Sequence, residues 1–138
     1  MPEVSVRLPP LDELAERWRY IAPLLAKSTR RAGGAYEPVD VLRAAFAGQF
    51  GIWICEIDRR VAAVIVTEIR QYPRRRALEM IFAGGSNMEM WIGPLIAAID
   101  QHARETGCQC ITTLGRRGWL RAWGAEATGD IAMLRRVE

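Results

Sequence analysis

The 138-residue chain has the size and composition of one globular domain. Half of its residues are apolar, a quarter are charged, and the formal net charge is +3. No apolar run reaches the roughly 18 residues that a membrane-spanning helix needs, and the N-terminal residues do not form a secretory signal. We therefore expect one domain, residues 1–138, in the cytoplasm and without a membrane partner.

The cysteines and the histidine argue against a disulfide framework and against a metal centre. Three cysteines, Cys55, Cys108 and Cys110, are too few for a disulfide scaffold. The single histidine, His102, leaves a metal site without enough ligands. We expect buried, reduced thiols and no bound metal.

Nearly all of the positive charge comes from arginine, because Lys27 is the only lysine. The arginines form short clusters at predicted turns, with acidic residues between them. This pattern favours a solvated surface over a nucleic-acid interface.

The first half of the chain changes from one strand to two helices. Alternation over residues 3–8 predicts a short strand, closed by a pair of prolines. Apolar residues then recur at three- and four-residue steps over residues 11–25, which predicts a helix that Pro23 ends or kinks. A second helix is predicted over residues 38–47.

The middle of the chain has the period of strands, and a long helix follows. Strands are predicted over residues 52–57, 61–66 and 77–82, joined by short turns. A long helix ends at Gly107, and it is followed by a strand (108–114), a short helix (119–123) and a last strand (130–137). The order β-α-α-β-β-β-α-β-α-β predicts an α/β (α+β) fold with a mixed, mostly antiparallel sheet of about six strands flanked by helices.

This order of elements resembles the GNAT acetyltransferase fold along the whole chain. More narrowly, the C-terminal half resembles small GNAT-like proteins of tailed phages and prophages. The residues that carry this second resemblance are Ala83-Gly84-Gly85, Met88, Trp91, Gly107-Cys108, Gly115-Arg116-Arg117-Gly118-Trp119, Arg121 and Gly124.

The GNAT resemblance implies a cofactor and its place. In that family acetyl-CoA lies in a V-shaped gap between the fourth and fifth strands. Its pyrophosphate is bound by backbone amides at the start of the long helix, where a helix N-terminus favours an anion. For this chain the resemblance implies cofactor contacts from Phe82, Gly84, Gly85, Trp91 and Gly93.

The start of the long helix can be placed in two ways, and both weaken the anion site. In the preferred placement residues 88–93 form the cofactor loop, and Pro94 is the first helical residue. Of this loop only Gly93 matches the family pattern Gln/Arg-x-x-Gly-x-Gly/Ala. In the other placement Ser86 caps the helix, forms a capping box with Glu89, and leaves Pro94 inside the helix. We therefore predict weak or absent binding of acetyl-CoA.

Glu79 is the candidate general base. It lies in the middle of the third predicted strand of the central meander, beside the acetyl site that the resemblance implies. Partial burial among apolar strand residues favours such a role for a glutamate. Glu56 and Glu68 are weaker candidates of the same kind. The short helix at 119–123 has no tyrosine to protonate the leaving thiolate, as GNAT enzymes commonly have.

Two functions of different classes follow. The first is a phage- or prophage-type GNAT-fold protein with a degenerate acetyl-CoA loop. Such a protein would act by binding phage or host proteins, as a virion, assembly or regulatory component. The alternative is an acetyl-CoA-dependent N-acetyltransferase acting on an amine of a small molecule or protein.

Overall fold

One six-stranded sheet organises the protein. The computed structural model describes residues 1–114 and 131–137. The strands are β1 (Val4–Arg7), β2 (Phe50–Ile57), β3 (Arg60–Gln71), β4 (Arg76–Gly85), β5 (Cys110–Leu114) and β6 (Ile131–Arg136). The helices are α1 (Leu11–Glu16), α2 (Trp18–Arg30), α3 (Pro38–Phe46) and α4 (Met88–Glu105).

The strands lie in chain order across the sheet, and the mixed topology predicted from the sequence is confirmed. β4 and β5 run parallel, with α4 as the crossover between them. The other neighbouring strands are antiparallel. β2 and β3 are joined by a tight turn in which Asp58 and Arg59 both have positive φ, as a two-residue turn of type I′ requires.

Each face of the sheet has its own hydrophobic core. On one face α4 packs its apolar side over the strands. The buried residues of this α4 face are Trp53, Cys55, Ala63, Ile65, Leu78, Met80, Ala83, Trp91, Leu95, Ile99, Ala103, Cys108 and Ile111. The opposite face is covered by α1, α2 and α3, with a core of Leu14, Ile21, Leu25, Val41, Ala45, Phe50, Ile52, Ile54, Val64, Val66 and Phe82. Apolar residues on both faces explain why β2 and β3 lack a simple polar-apolar alternation.

The first helical segment is interrupted at a different residue from the one predicted. The break falls at Arg17, between α1 and α2, and α2 then continues through Pro23 to Arg30. Pro23 has no N–H to donate to the carbonyl four residues earlier. Because Pro23 is exposed, that carbonyl lies on the solvent side of the helix. Of the two predicted effects of Pro23, the ending of the helix was therefore wrong, because water can satisfy an exposed carbonyl that has lost its backbone donor. A kink at Pro23 stays a prediction.

The preferred start of the long helix was also wrong. α4 begins at Met88, with Asn87 as its N-cap in the left-handed conformation, and Pro94 lies inside the helix. The alternative start with Ser86 as cap is closer, although no side chain caps the first turn. The predicted short helix at 119–123, and the resemblance residues from Gly115 to Gly124, lie outside the described residues.

Candidate active site

In the described part of the chain, β4 and β5 pair along only part of β4, which opens the sheet at one end. The parallel pairing runs from Ala77 opposite Cys110 to Met80 opposite Thr113. β4 then continues over residues 81–85. A bulge interrupts the β3–β4 register just beyond Met80, since Val66 lies opposite Phe82 whereas Thr67 lies opposite Met80. The extra residue, Ile81, changes the direction of β4 where its pairing with β5 ends.

Glu79 lies next to this opening and is almost fully buried, with 1% of its surface exposed. Across the sheet it is flanked by Glu68 on β3 and Thr112 on β5. Its Oε1 accepts a hydrogen bond from Thr112 Oγ1 at 3.3 Å and a long one from the Tyr72 hydroxyl at 3.5 Å. Its Oε2 lies 2.7 Å from Arg70 Nε. The geometry of this last contact makes it an ion pair without an aligned hydrogen bond.

Arg70 links the two glutamates that face each other across β3 and β4. Its Nε also lies 2.8 Å from Glu68 Oε1, and Glu68 Oε2 accepts a hydrogen bond from Gln49 Nε2 at 2.9 Å. Partial burial lowers the pKa of the Arg70 guanidinium, but the charges of Glu79 and Glu68 outweigh that effect and raise it overall. A permanent cation therefore separates two carboxylates that would otherwise repel each other.

The predicted cofactor residues at the end of β4 all have close neighbours within the protein. Phe82 is buried against Tyr36, with ring centroids 5.3 Å apart. Gly84 lies directly under the backbone of α2, because a Cβ atom there would be 1.7 Å from the Leu24 carbonyl oxygen. Gly85 has φ of +142° and packs against the backbone of β3. Packing therefore explains both glycines, and their role toward a cofactor stays a prediction.

The predicted cofactor loop at residues 88–93 is helix in the structure. Trp91 is buried in the α4 face, and its indole nitrogen donates a hydrogen bond to the Ser86 carbonyl at 2.7 Å. Gly93 is exposed in the second turn of α4. Glu89 lies exposed in the first turn, where its negative charge opposes binding of an anion at the helix N-terminus.

Glu56, one of the weaker candidate bases, belongs to a separate ion-pair network. Its two carboxylate oxygens contact Arg7 at 2.9 Å and Arg17 at 3.1 Å, and both arginines also contact Glu13. The hydrogen bond from Arg7, followed by that from Arg17, lowers the pKa of Glu13 against the opposing effect of burial. This network ties β1 and β2 to α1 and lies away from the β4–β5 opening.

Sequence reasoning missed the residues around Glu79. Arg70, Thr112 and Tyr72 come from two other strands and a turn, and only the strand register brings them together. One signal was available for Arg70, because it lies two residues after Glu68 and so on the same face of the strand. The tyrosine that GNAT enzymes commonly have is missing from residues 119–123, and Tyr72 was not expected to lie near Glu79.

The described residues form neither a metal centre nor a membrane-spanning helix. Within residues 1–114 and 131–137 no group of histidine, cysteine, aspartate and glutamate is arranged to hold a metal ion. In the same part of the chain no helix is long and apolar enough to span a membrane.

Several solved structures with the same fold are acetyltransferases. A GCN5-related N-acetyltransferase from Ralstonia eutropha aligns with a TM-score of 0.64 and 16% identity, covering 92% of this chain and 95% of that one. A predicted acetyltransferase from Clostridium acetobutylicum, solved with acetyl-CoA, aligns with a TM-score of 0.62 and 12% identity over 94% and 93% of the two chains. A ribosomal-protein-alanine N-acetyltransferase from Brucella melitensis gives a TM-score of 0.62 and 18% identity over 92% and 94%.

These likenesses show the fold. The chain has the GNAT fold, and structures of that fold hold acetyl-CoA or coenzyme A. No protein-family model matches the sequence and no curated protein matches it significantly. The narrower resemblance to phage and prophage proteins has no support among these structures and stays a prediction.

Proposed function

We propose that this protein is an acetyl-CoA-dependent N-acetyltransferase in which Glu79 is the general base. The observation that carries the proposal is the buried Glu79 carboxylate, one residue before the last pair between β4 and β5. One of its oxygens has a charge partner but no aligned hydrogen-bond donor among the described residues. A buried polar atom in that state is open to a donor from a ligand, and an amine is such a donor.

The edge of β4 that faces β5 fits the extended arm of acetyl-CoA. Beyond Met80 this edge has no β5 partner among the described residues, so its backbone groups can bind an extended chain as a neighbouring strand would. One of them is already used, since the Ala83 amide donates to Ser28 Oγ at 3.3 Å. The first turn of α4 fits the pyrophosphate less well, because Glu89 lies there. The arrangement favours binding of the thioester arm over binding of the diphosphate.

The chain's own residues supply the acid-base and positioning functions. When bound, acetyl-CoA supplies an acetyl group activated as a thioester. Glu79 accepts a proton from the attacking amine at its carboxylate. Arg70 and Thr112 fix the direction of that carboxylate through the ion pair and the hydrogen bond described above. Burial of the site excludes water, which would otherwise compete for the same proton acceptor.

The test is acetyl-CoA turnover by the parent protein against a panel of small amines and peptides. The matched variants are Glu79→Gln and Glu56→Gln, since both glutamates are buried in strands and paired with arginine. Loss of a general base lowers the rate by roughly 10²–10⁴. We expect that loss for Glu79→Gln and an unchanged rate for Glu56→Gln.

Two outcomes contradict the proposal. Turnover that survives in Glu79→Gln at the parent's rate removes Glu79 from the reaction. No turnover by the parent with any amine, at acetyl-CoA concentrations well above its measured dissociation constant, removes the enzyme assignment.

A binding protein without activity is the second candidate. The observations that favour it are Glu89 at the first turn of α4 and the Ala83 amide already bonded to Ser28. A phage or prophage component with a degenerate cofactor site would have these features. It predicts weak or absent acetyl-CoA binding and no turnover, and the turnover assay distinguishes it from the enzyme.

A further inference from the structure

Among the residues that the structure describes, β3 extends past the end of its neighbour β2 and part of one edge is uncovered. β2 begins at Phe50, opposite Glu68, whereas β3 continues over residues 69–71. The hairpin geometry shows which groups face that side. The Tyr72 amide donates a hydrogen bond to the Arg75 carbonyl. On the β5 side, the Arg76 amide donates to the side-chain oxygen of Gln109, and the Arg76 carbonyl accepts from the Gln109 amide. By strand alternation, the N–H and C=O groups of Gln71 and Ile69 point away from β4, toward the line that β2 would continue.

A cavity of about 450 Å³ lies beside this uncovered edge. Its volume is in the range of small ligand-binding sites. Gly48, Gln49, Phe50 and Gly51 border one side, and the end of β3, the start of β4 and His102 of α4 border the other. The uncovered part of β3 is about 10 Å long at roughly 3.3 Å per residue. We call this edge and its cavity the β3 groove.

Positive charge surrounds the end of the β3 groove. Arg74 and Arg75 lie in the turn between β3 and β4, and Arg76 lines the cavity itself. In the portion of the chain that the structure describes, these three arginines form no ion pair with a carboxylate. The one acidic residue among the lining residues, Glu68, is already matched by Arg70 and Gln49. An incoming carboxylate therefore meets arginines without ion-pair partners and little repulsion.

We propose that the β3 groove binds an extended, acidic peptide segment of a partner protein. Such a segment adds to the sheet as a strand, using the backbone groups of Ile69 and Gln71. Its acidic side chains contact Arg74, Arg75 and Arg76 at the tip of the hairpin. The uncovered edge selects a partner segment in the extended conformation, and the arginines select one with negative charge. This site is separate from the Glu79 carboxylate and does not depend on the proposed activity.

The probe is an acetylated and amidated hexapeptide that alternates Glu with Thr and Val, and its control has Lys in place of every Glu. Binding is followed by amide chemical shifts of the ¹⁵N-labelled protein. The ring protons of His102 are a second reporter, because it is the chain's single histidine and it lines the groove. We expect the acidic peptide to shift the amides of Ile69 and Gln71 together with His102, and the Lys peptide to shift none of them.

Two pairs of variants test the charge and the backbone separately. R74E combined with R75E is expected to weaken binding of the acidic peptide about tenfold, from the loss of two charge contacts at the surface and the new repulsion. R30E with R31E makes the same change in net charge at the exposed end of α2 and leaves binding unchanged. Ile69→Pro removes one outward amide that β4 does not use and abolishes binding, whereas Ile69→Val retains it.

Several results overturn the proposal. Equal binding of the Lys peptide, shifts confined to another surface, or parent-like affinity in the R74E and R75E double variant each contradict it. Inorganic phosphate that reproduces the same shifts and displaces the peptide at equal concentration shows a simple anion site instead. If Ile69→Pro lowers the melting temperature markedly, the charge variants still decide the question.

Discussion

Adding one methyl group at Gly84 is expected to separate α2 from the end of β4. The φ of Gly84 lies outside the left-handed region, so the residue is glycine for lack of space. In Gly84→Ala the new Cβ would lie 1.7 Å from the Leu24 carbonyl oxygen and 2.8 Å from its carbonyl carbon. Both atoms belong to the backbone of α2, so rotation of a side chain cannot relieve the clash.

The cost follows from two effects. Forcing extra volume into a packed site costs about 1–3 kcal/mol. Moving α2 also breaks the bond from the Ala83 amide to Ser28 Oγ, and a buried amide left without its partner costs about 1–3 kcal/mol more. We therefore expect Gly84→Ala to lower the free energy of unfolding by about 3 kcal/mol or more.

Gly93→Ala is the matched control. Gly93 lies in the exposed part of α4, and a Cβ there has nothing within 4 Å. Replacing glycine by alanine inside a helix raises stability by about 0.8–1 kcal/mol. The assay is urea unfolding followed by the fluorescence of the buried Trp53 and Trp91. A Gly84→Ala protein within about 0.5 kcal/mol of the parent would refute the close packing of α2 on β4.

Three further predictions concern charge and protonation. Glu89→Gln removes a negative charge from the first turn of α4 and should tighten acetyl-CoA binding about two- to fivefold by calorimetry, whereas Glu105→Gln in the last turn should not. Burial lowers the pKa of His102 below 6.5, against the smaller opposing effect of Glu105. The neutral His102 side chain therefore contributes its full stabilisation above pH 6.5, and this contribution falls as the pH drops below that value. The urea midpoints of the parent and His102→Gln should converge on acidification. Burial raises the pKa of Cys55 to about 12, so iodoacetamide should label it only under denaturing conditions, and labelling of native protein at neutral pH would contradict its burial.

Strand periodicity and turn residues predicted most of the sheet. Each predicted strand was found, because runs with a period of two and closing turns specify a strand without knowledge of its neighbours. Once that strand was predicted, Glu79 could be selected as the candidate general base, because it is the one carboxylate in an otherwise apolar strand. The parallel arrangement of β4 and β5 followed from the long helix between them.

The start of α4 and the surroundings of Glu79 could not be predicted in the same way. At the start of α4, Pro94 is well suited to a first helical position, and this local signal competed with the true start at Met88. Pro94 is exposed, so the helix tolerates it. Around Glu79, the neighbours Arg70 and Thr112 depend on register across three strands, and the bulge at Ile81 shifts that register by one residue. A single sequence contains no direct signal for such a shift.

The most direct test of the proposed acetyltransferase is a titration of the ¹⁵N-labelled protein with acetyl-CoA. The proposed enzyme is expected to show saturable shifts of amides at the end of β4, beyond its last pair with β5 at Met80. Loss of one or more charge-assisted contacts to the pyrophosphate makes a dissociation constant of about 0.1 mM or weaker the expected value. Absence of any shift at about a hundredfold higher concentration, or shifts confined to residues away from the β4–β5 opening, would contradict the assignment of this opening as a cofactor site.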